Sequence, residues 1–241
     1  MYYKDGIDEV FYVDNVATLY GTNNLSKFIR KTAKNLFVPL AIGGGIKSIK
    51  DAYQAFQDGA DKIVINSAAI INPKFISNLA KIFGSANICV SIETIKYDNK
   101  YFISRSNGRD LEKVNPFEWA RKVQNLGAGE ICLTSVNHEG IERGFDLKLY
   151  ERVSKSISIP ILAHGGCGNY KHVYEVIKNS NVSGVVLSSL LHYNYFHYMR
   201  LKKIKKGNIS FITNNFNPQK KKINHIKELK KYLNTKNIST R

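Results

Sequence analysis

An internal repeat constrains the fold of this chain more than any other feature. The second half of the sequence matches the first half at a separation of 121 residues. Several coincidences at one separation indicate duplicated halves, and a half of about 120 residues with four βα units predicts an eight-unit barrel. The matching positions are Gly6–Glu9 with Gly127–Glu130, Pro39 with Pro160, Gly44-Gly45 with Gly165-Gly166, and Ser67 with Ser188.

Short β-branched segments alternate with longer amphipathic segments from residue 9 to about residue 193. This alternation predicts βαβ crossovers and a parallel sheet, hence an α/β fold of the (β/α)8 TIM barrel type with two pseudo-twofold halves. The predicted strands are Glu9–Asp14, Phe37–Ile42, Lys62–Asn66, Ile88–Glu93, Glu130–Ser135, Pro160–His164 and Gly184–Ser188. The predicted helices are Leu25–Ala33, Ile49–Gln57, Pro73–Ile82, Pro116–Leu126, Leu147–Ser156 and Lys171–Asn179.

The repeat also predicts an incomplete barrel. The second half opens with Ile88–Glu93, a hairpin-like segment Lys96–Ser106 and a helix, whose first-half counterparts would precede Met1. We therefore expect the first β-strand and most of the first helix to be lacking, so that the chain is truncated or another element closes the sheet. Residues 1–200 are predicted to form this barrel domain, and residues 201–241 a basic extension whose terminal helix, Ile223–Leu233, packs on the barrel.

Composition excludes several classes of protein. With 241 residues, 43% hydrophobic content and three cysteines, the chain is neither collagen-like, nor wholly disordered, nor a disulfide framework. No apolar segment reaches the roughly 18 residues of a membrane span, and no signal peptide is visible, so we expect a soluble cytoplasmic protein. Twelve of the 36 Lys and Arg residues lie in residues 201–241, against Glu228 alone. A solvated surface is favoured there, and a nucleic-acid contact is the alternative.

Two glycine turns at predicted strand ends are candidate phosphate sites. A glycine turn at the carboxyl end of a barrel strand lets backbone N–H groups approach a phosphate. The first candidate site, called here the first cradle, comprises Gly44, Gly45, Asn66 and Ser67. The second cradle comprises Gly140, Gly165, Gly166, Ser188 and Ser189. Two such sites at one barrel mouth predict a long substrate with a phosphate at each end, although tight turns alone would also use these glycines.

Charged residues mark both ends of the predicted barrel. Glu93 closes an apolar strand and is predicted to project into the mouth between the two cradles, where a carboxylate can move protons. Asp14 and Asp61 are weaker candidates. Glu9, Lys62 and Glu130 lie at the amino-terminal ends of strands, and we call them the gate. Salt bridges that stabilise the barrel explain the gate most simply, and control of a passage is the alternative.

The remaining polar residues predict neither a metal nor a cofactor. Three histidines, His138, His164 and His192, lack metal-ligand spacing and are interpreted as surface or turn residues. Cys89 and Cys132 lie in strand-like segments and are predicted to be buried thiols, as is Cys167 in a glycine loop. Trp119 is predicted to belong to the core.

In this order, the motifs resemble those of the cyclase subunit of imidazole glycerol phosphate synthase, the HisF family of histidine biosynthesis. The resemblance covers nearly the whole chain. It is carried by Gly6–Asp14, Gly43–Ile46, Gly59–Lys62, Ile65–Ala69, Gly127–Glu130, Leu133–Ser135, Gly165-Gly166 and Ile226–Leu233.

The resemblance implies a (β/α)8 barrel that pairs with a glutaminase subunit. Ammonia from that partner would pass along the barrel axis and react with a bisphosphorylated ribulosyl aminoimidazole-carboxamide nucleotide. The products would be imidazole glycerol phosphate and an aminoimidazole nucleotide. By position, the two cradles match the family's phosphate sites, the gate matches the charged ring where ammonia enters, and Glu93 occupies a catalytic position.

Two departures leave the subfamily open. The family's catalytic pair is two aspartates, of which one would lie on the strand expected to be lacking, and Glu93 replaces the other with a side chain longer by one methylene. Glu93, the segment Val13–Gly21 and the basic tail look more like HisF paralogues of surface-polysaccharide gene clusters, thought to supply ammonia for amidino-sugar formation. An inactive phosphate-binding scaffold is a further alternative.

Overall fold

The computed structural model describes residues 2–14, 25–106, 108–192 and 225–241. The strands are β1 Val10–Val13, β2 Leu40–Gly43, β3 Lys62–Ile65, β4 Ile88–Tyr97, β5 Lys100–Arg105, β6 Asp110–Glu112, β7 Glu130–Ser135, β8 Ile161–His164 and β9 Gly184–Val186. The helices are α1 Leu25–Ala33, α2 Ile49–Gln57, α3 Ser67–Ile71, α4 Lys74–Phe83, α5 Pro116–Asn125, α6 Leu147–Ser154, α7 Tyr170–Asn179 and α8 Ile226–Asn234.

Seven parallel strands form the main sheet, in the order β1-β2-β3-β4-β7-β8-β9. The two halves share one register: Val10 pairs with Leu40 in the first, and Ile131 pairs with Ile161 in the second, a separation of 121 residues. Among the described residues, β1 pairs only with β2 and β9 only with β8, so these two strands stand at the ends of the path. The predicted twofold design is therefore visible in the strand pairing.

The side chains of each strand alternate between two apolar layers. A large cluster between sheet and helices includes Ile42, Ile63, Val90, Leu133 and Ala163, which point away from the barrel axis. The alternate positions point inward, as the period of two in a strand requires. Six of these inward residues, drawn from strands at both ends of the path, pack together, so the sheet curves back on itself: Phe11, Ala41, Val64, Cys89, Cys132 and Val186. This arrangement confirms the predicted TIM-barrel class.

The hairpin after β4 is longer than the sequence analysis predicted. Strand β4 continues past Glu93 to Tyr97 and pairs with β5 in antiparallel orientation, with Glu93 opposite Ser104. Strand β3 pairs with β4 only as far as Val90, and from Glu93 onward β4 pairs with β5 instead. The β-branched Thr94 and Ile95 and the aromatic Tyr97 give this extension its strand character. As a result, the end of β5 lies beside the barrel mouth.

Helix α8 packs against the barrel rather than standing apart from it. Leu229 and Leu233 belong to the large core cluster. The Tyr170 hydroxyl donates to the His225 carbonyl oxygen at 3.0 Å, and the Asp5 carboxylate accepts from the Ile226 N–H at 2.9 Å. Residues 201–224 and most of the segment Val13–Gly21 lie outside the described residues, so the division into a barrel and a basic extension stays a prediction.

Most predicted elements agree with the structure within three residues. Helices α1 and α2 have the predicted bounds, and β7 matches Glu130–Ser135. Trp119 is 5% exposed and lies in the core as predicted, and the three cysteines are buried. Strand β2 begins at Leu40 rather than Phe37, whose ring is 79% exposed, because an apolar residue type alone does not reveal which positions the sheet covers.

Packing between α4 and the sheet gives a direct stability prediction. Ile76 is fully buried, so Ile76→Ala should lower the free energy of unfolding by about 2 to 5 kcal/mol through lost burial and the cavity left behind. The matched change Ile82→Ala lies on the same helix at a side chain 55% exposed and should cost less than about 1 kcal/mol. Urea unfolding followed by circular dichroism measures both, and equal losses would contradict the described packing.

Candidate functional site

The first cradle lies at the carboxyl ends of β2 and β3, as predicted. Gly44 has φ +96°, and a Cβ there would lie 2.4 Å from the Asp14 carbonyl oxygen. Only glycine therefore allows β1 and this turn to approach so closely. Asn66 follows β3 directly, and the Ser67 hydroxyl stands at the start of α3. All four cradle residues line one large cavity.

The second cradle repeats this geometry across the barrel. Gly165 has φ +99°, and a Cβ there would lie 2.7 Å from the Ser135 carbonyl oxygen. Ser135 corresponds to Asp14 at the repeat separation, so the same close approach occurs in both halves. Ser188 comes two residues after β9 and lines the cavity, whereas Gly140, Gly165, Gly166 and Ser189 do not line it. The structure thus places both cradles at the same edge of the sheet.

The cavity has a volume of about 1740 Å³ and reaches both ends of the barrel. Its lining includes Asn66, Glu93 and Ser188 at the mouth and Glu9 and Glu130 at the opposite end. Between them the lining is mainly inward side chains of the strands, including Phe11, Val64, Ser91, Cys132, Leu162 and Val186. The cavity therefore extends from Glu9 and Glu130 of the gate to the mouth, and its lining also includes helix residues such as Val173 and Leu229.

Glu93 projects inward from β4 and is held by two hydrogen-bond donors. Its Oε1 accepts from Asn66 Nδ2 at 2.9 Å, and its Oε2 accepts from the Gly108 N–H at 2.9 Å. Asn66 comes from the first cradle, and Gly108 from the turn between β5 and β6. These two donors give the carboxylate a fixed orientation beside Asn66 of the first cradle.

The surroundings of Glu93 favour uptake of a proton. Burial raises the pKa of the Glu93 carboxyl above its ordinary value of 4.5, and the negative charge of Glu139 adds to this effect. The hydrogen bonds from Gly108 and Asn66 oppose it, since they stabilise the carboxylate. The net shift is upward, which brings this carboxyl closer to the range that suits a general base or acid.

His164 lies in the barrel interior, in contrast to its interpretation as a surface or turn residue. It is the last residue of β8, and its side chain lines the cavity. Its Nδ1 lies 3.1 Å from Thr134 Oγ1. Of the other two histidines, His138 is bonded through Nδ1 to Ser135 Oγ at 2.9 Å, and His192 also lines the cavity. Counting inward positions along β8 would have found His164, because Leu162 and His164 share a face.

The gate forms a linked set of charges at the amino-terminal ends of the strands. Lys62 Nζ lies 3.0 Å from Glu9 Oε2 and 3.1 Å from Glu130 Oε2. Burial disfavours the charge on Lys62, but hydrogen bonds and the two carboxylates outweigh it, so the pKa of its ammonium group is raised. Burial also raises the pKa of Glu9, against the opposing effect of Lys62. The predicted three residues do come together.

The buried thiols offer no reactive group at the cavity. Burial raises the pKa of the Cys132 thiol to about 12, so this thiol stays protonated. Within the four described ranges, no cluster of three or more His, Cys, Asp or Glu side chains could hold a metal ion. None of the helices in the part of the chain that the structure describes combines the length and apolarity that a membrane crossing requires.

Two contributors to the mouth were missed by the sequence analysis. The Gly108 N–H reaches Glu93 through the longer β5–β6 hairpin, and no sequence signal marks that contact. Thr134 pairs in register with both Glu93 and His164, so its side chain stands between theirs. The position of Thr134 could have been found from the spacing of inward residues along β7.

The chain is similar to known proteins over most of its length. The family model described as "Histidine biosynthesis protein" matches residues 1–197. The imidazole glycerol phosphate synthase subunit HisF of Bacillus cereus (strain G9842) is 41% identical over 210 residues, which are 86% of this chain and 83% of that relative. The HisF of Legionella pneumophila is 47% identical over 168 residues (69% and 79%), and that of Clostridium botulinum (strain Okra / Type B1) is 42% identical over 206 residues (85% and 80%). The chain therefore belongs to the HisF family of histidine biosynthesis proteins.

Proposed function

We propose that this chain is the cyclase subunit of an imidazole glycerol phosphate synthase. It uses glutamine-derived ammonia to convert a bisphosphorylated ribulosyl aminoimidazole-carboxamide nucleotide into imidazole glycerol phosphate and aminoimidazole carboxamide ribonucleotide. The observation that carries this proposal is that Glu93 lines the cavity and that Asn66 and Gly108 hold its carboxylate in place. Membership of the HisF family supports it.

In this proposal the cradles bind the two phosphates of the substrate. Positive φ angles at Gly44, Gly45, Gly165 and Gly166 turn each backbone sharply at a strand end, where N–H groups can face an anion. The hydroxyls of Ser67 and Ser188, which line the cavity, add donors to each site. Because the cradles flank the mouth, a substrate held at both ends places its middle above Glu93.

Glu93 acts as the proton acceptor in this scheme. An ammonia molecule that attacks the substrate acquires positive charge on nitrogen, and a nearby carboxylate removes one proton. The donors Asn66 and Gly108 hold the carboxylate in place, which limits the reorganisation that proton transfer requires. The extra methylene of Glu93 relative to aspartate lengthens its reach by about 1 Å, a displacement that matters in such reactions.

Ammonia enters through the gate and travels inside the barrel. The lining between Glu130 and Glu93 is mainly apolar, which admits neutral ammonia more readily than ammonium. The charged gate lies at the end of the barrel opposite to the mouth. A glutaminase subunit docked at that end would deliver ammonia directly into the barrel. The relatives named above are called subunits, which agrees with a complex of this kind.

The alternatives have less support. The relatives reported above carry the name of the histidine-pathway enzyme, so an amidino-sugar role is not favoured. An inactive scaffold would not need a buried carboxylate with two donors and a raised pKa. We further propose that residues 201–241 form a basic extension beyond the barrel domain, anchored by α8.

Turnover with ammonium chloride as the nitrogen source tests the proposed reaction. The unsubstituted chain should form imidazole glycerol phosphate, and Glu93→Gln should lower kcat by about 100-fold or more, because the amide cannot accept the proton. The kcat of the unsubstituted chain should rise with pH as Glu93 loses its proton. The midpoint of that rise should lie above the ordinary pKa of a glutamate, because the pKa of Glu93 is raised. The control Glu118→Gln alters an exposed residue of α5 and should leave kcat unchanged.

Absence of turnover by the unsubstituted chain, with and without a glutaminase subunit, would exclude the reaction. Turnover that survives Glu93→Gln with an unchanged pH profile would exclude Glu93 as the proton acceptor. Growth of a histidine auxotroph that expresses the chain separates the histidine pathway from the amidino-sugar alternative, which predicts no rescue.

The first cradle gives a second prediction. Gly44→Ala should lower the free energy of unfolding by about 2 kcal/mol more than Gly6→Ala does, because the added Cβ overlaps buried backbone atoms. The same change should weaken phosphate binding. Both glycines have positive φ, but a Cβ at Gly6 meets only Lys227 Cγ at 3.8 Å, whereas one at Gly44 overlaps Asp14 backbone atoms. Urea unfolding and calorimetric phosphate titration measure the two effects. Equal stability losses would show that the turn tolerates a side chain.

A further inference from the structure

Three polar side chains stand in one row across neighbouring strands at the mouth. Glu93 on β4 pairs in register with Thr134 on β7, and Thr134 pairs with His164 on β8. All three line the cavity, and the period of two along β4, β7 and β8 directs their side chains inward. Neighbouring strands lie about 4.8 Å apart, which separates the outer two backbones by roughly 10 Å before curvature. Two long side chains separated in this way can approach one substrate group from two sides.

The His164 ring has one committed nitrogen. Its Nδ1 is 3.1 Å from Thr134 Oγ1, and the Tyr150 hydroxyl donates a hydrogen bond to the His164 carbonyl oxygen. These contacts hold both the ring and the strand end, and they leave Nε2 as the nitrogen that a ligand in the cavity can reach. The next residue is Gly165 of the second cradle, so a phosphate bound there lies next to this histidine.

We propose that His164 is a catalytic residue that acts as the general acid opposite Glu93. This inference rests on the proposed function. As ammonia nitrogen forms a bond to the ketone carbon of the ribulosyl group, the carbonyl oxygen takes a proton from Nε2 of the His164 imidazolium. Glu93 takes one proton from the attacking nitrogen. A neutral amino alcohol, a neutral imidazole and a protonated Glu93 result, so atoms and charge balance.

This step requires a protonated His164, and a bound phosphate favours that form. Burial lowers the pKa of His164 below its ordinary 6.5, and the charge of Glu139 opposes that shift, so the free chain holds a largely neutral imidazole near pH 7. A phosphate dianion in the second cradle adds negative charge beside the ring and raises its pKa. Tyr150, whose hydroxyl donates to the His164 carbonyl oxygen, stays neutral because burial raises its pKa. Substrate binding thus protonates the acid that the reaction uses.

The variant His164→Asn tests this role. Asparagine keeps a polar group where Nδ1 meets Thr134 but removes Nε2, so kcat with ammonium should fall by about 100-fold while KM changes less than about threefold. The kcat profile of the unsubstituted chain should decline at alkaline pH as His164 loses its proton, and this decline should vanish in the variant. The control His225→Asn changes a histidine at the start of α8 and should leave the profile intact.

A raised KM with unchanged kcat would show that His164 only binds phosphate, and an unchanged alkaline limb would also overturn the proposal. A histidine NMR titration of the unsubstituted chain gives a readout that needs no turnover. Inorganic phosphate should raise the pKa of His164. Absence of that rise would contradict the role of His164 even in an active enzyme. A clear rise in a chain without turnover would instead place the failure with the proposed reaction.

Discussion

Parallel pairing between neighbouring strands decides which side chains enter the barrel. The period of two along each strand sends every second residue inward, and the register aligns those residues across the sheet. At one level this alignment brings Glu93, Thr134 and His164 into a row, and at another it places Ser91 beside Cys132. A slip of one residue would send each of these side chains into the helix layer. The candidate chemistry therefore depends on the register.

The buried charges at the two ends of the barrel have different kinds of partner. At the gate, Lys62 lies between two carboxylates, and the raised pKa of its ammonium group shows that the pairing outweighs burial. At the mouth, Glu93 has neutral donors and no cation partner among the hydrogen bonds described, so burial dominates and its pKa rises. A paired cluster keeps its charges and its geometry fixed, whereas an unbalanced carboxylate suits proton transfer.

The sequence predicts the repeating parts of this structure well and the contacts between them less well. The separation of 121 residues indicates the twofold barrel, and the glycine turns indicate both cradles. Glycine marks these turns in the sequence because no other residue fits where two backbone segments approach so closely. The Gly108 contact with Glu93 depends on the length of a hairpin, which no pattern in residues 96–112 fixes. His164 was misread because isolated histidines are common at turns, and only its strand position reveals an inward side chain. Asn66 is predicted as a phosphate ligand, and in the structure its amide also holds Glu93.

The proposed function requires two anion cradles that face one mouth with Glu93 between them. A crystal structure of the chain grown with inorganic phosphate measures this directly. We expect two bound phosphate ions, one at Gly44-Gly45 near Ser67 and one at Gly165-Gly166 near Ser188, with the Glu93 carboxylate directed into the space between. Phosphate at neither cradle, or a Glu93 side chain turned into the helix layer, would contradict it.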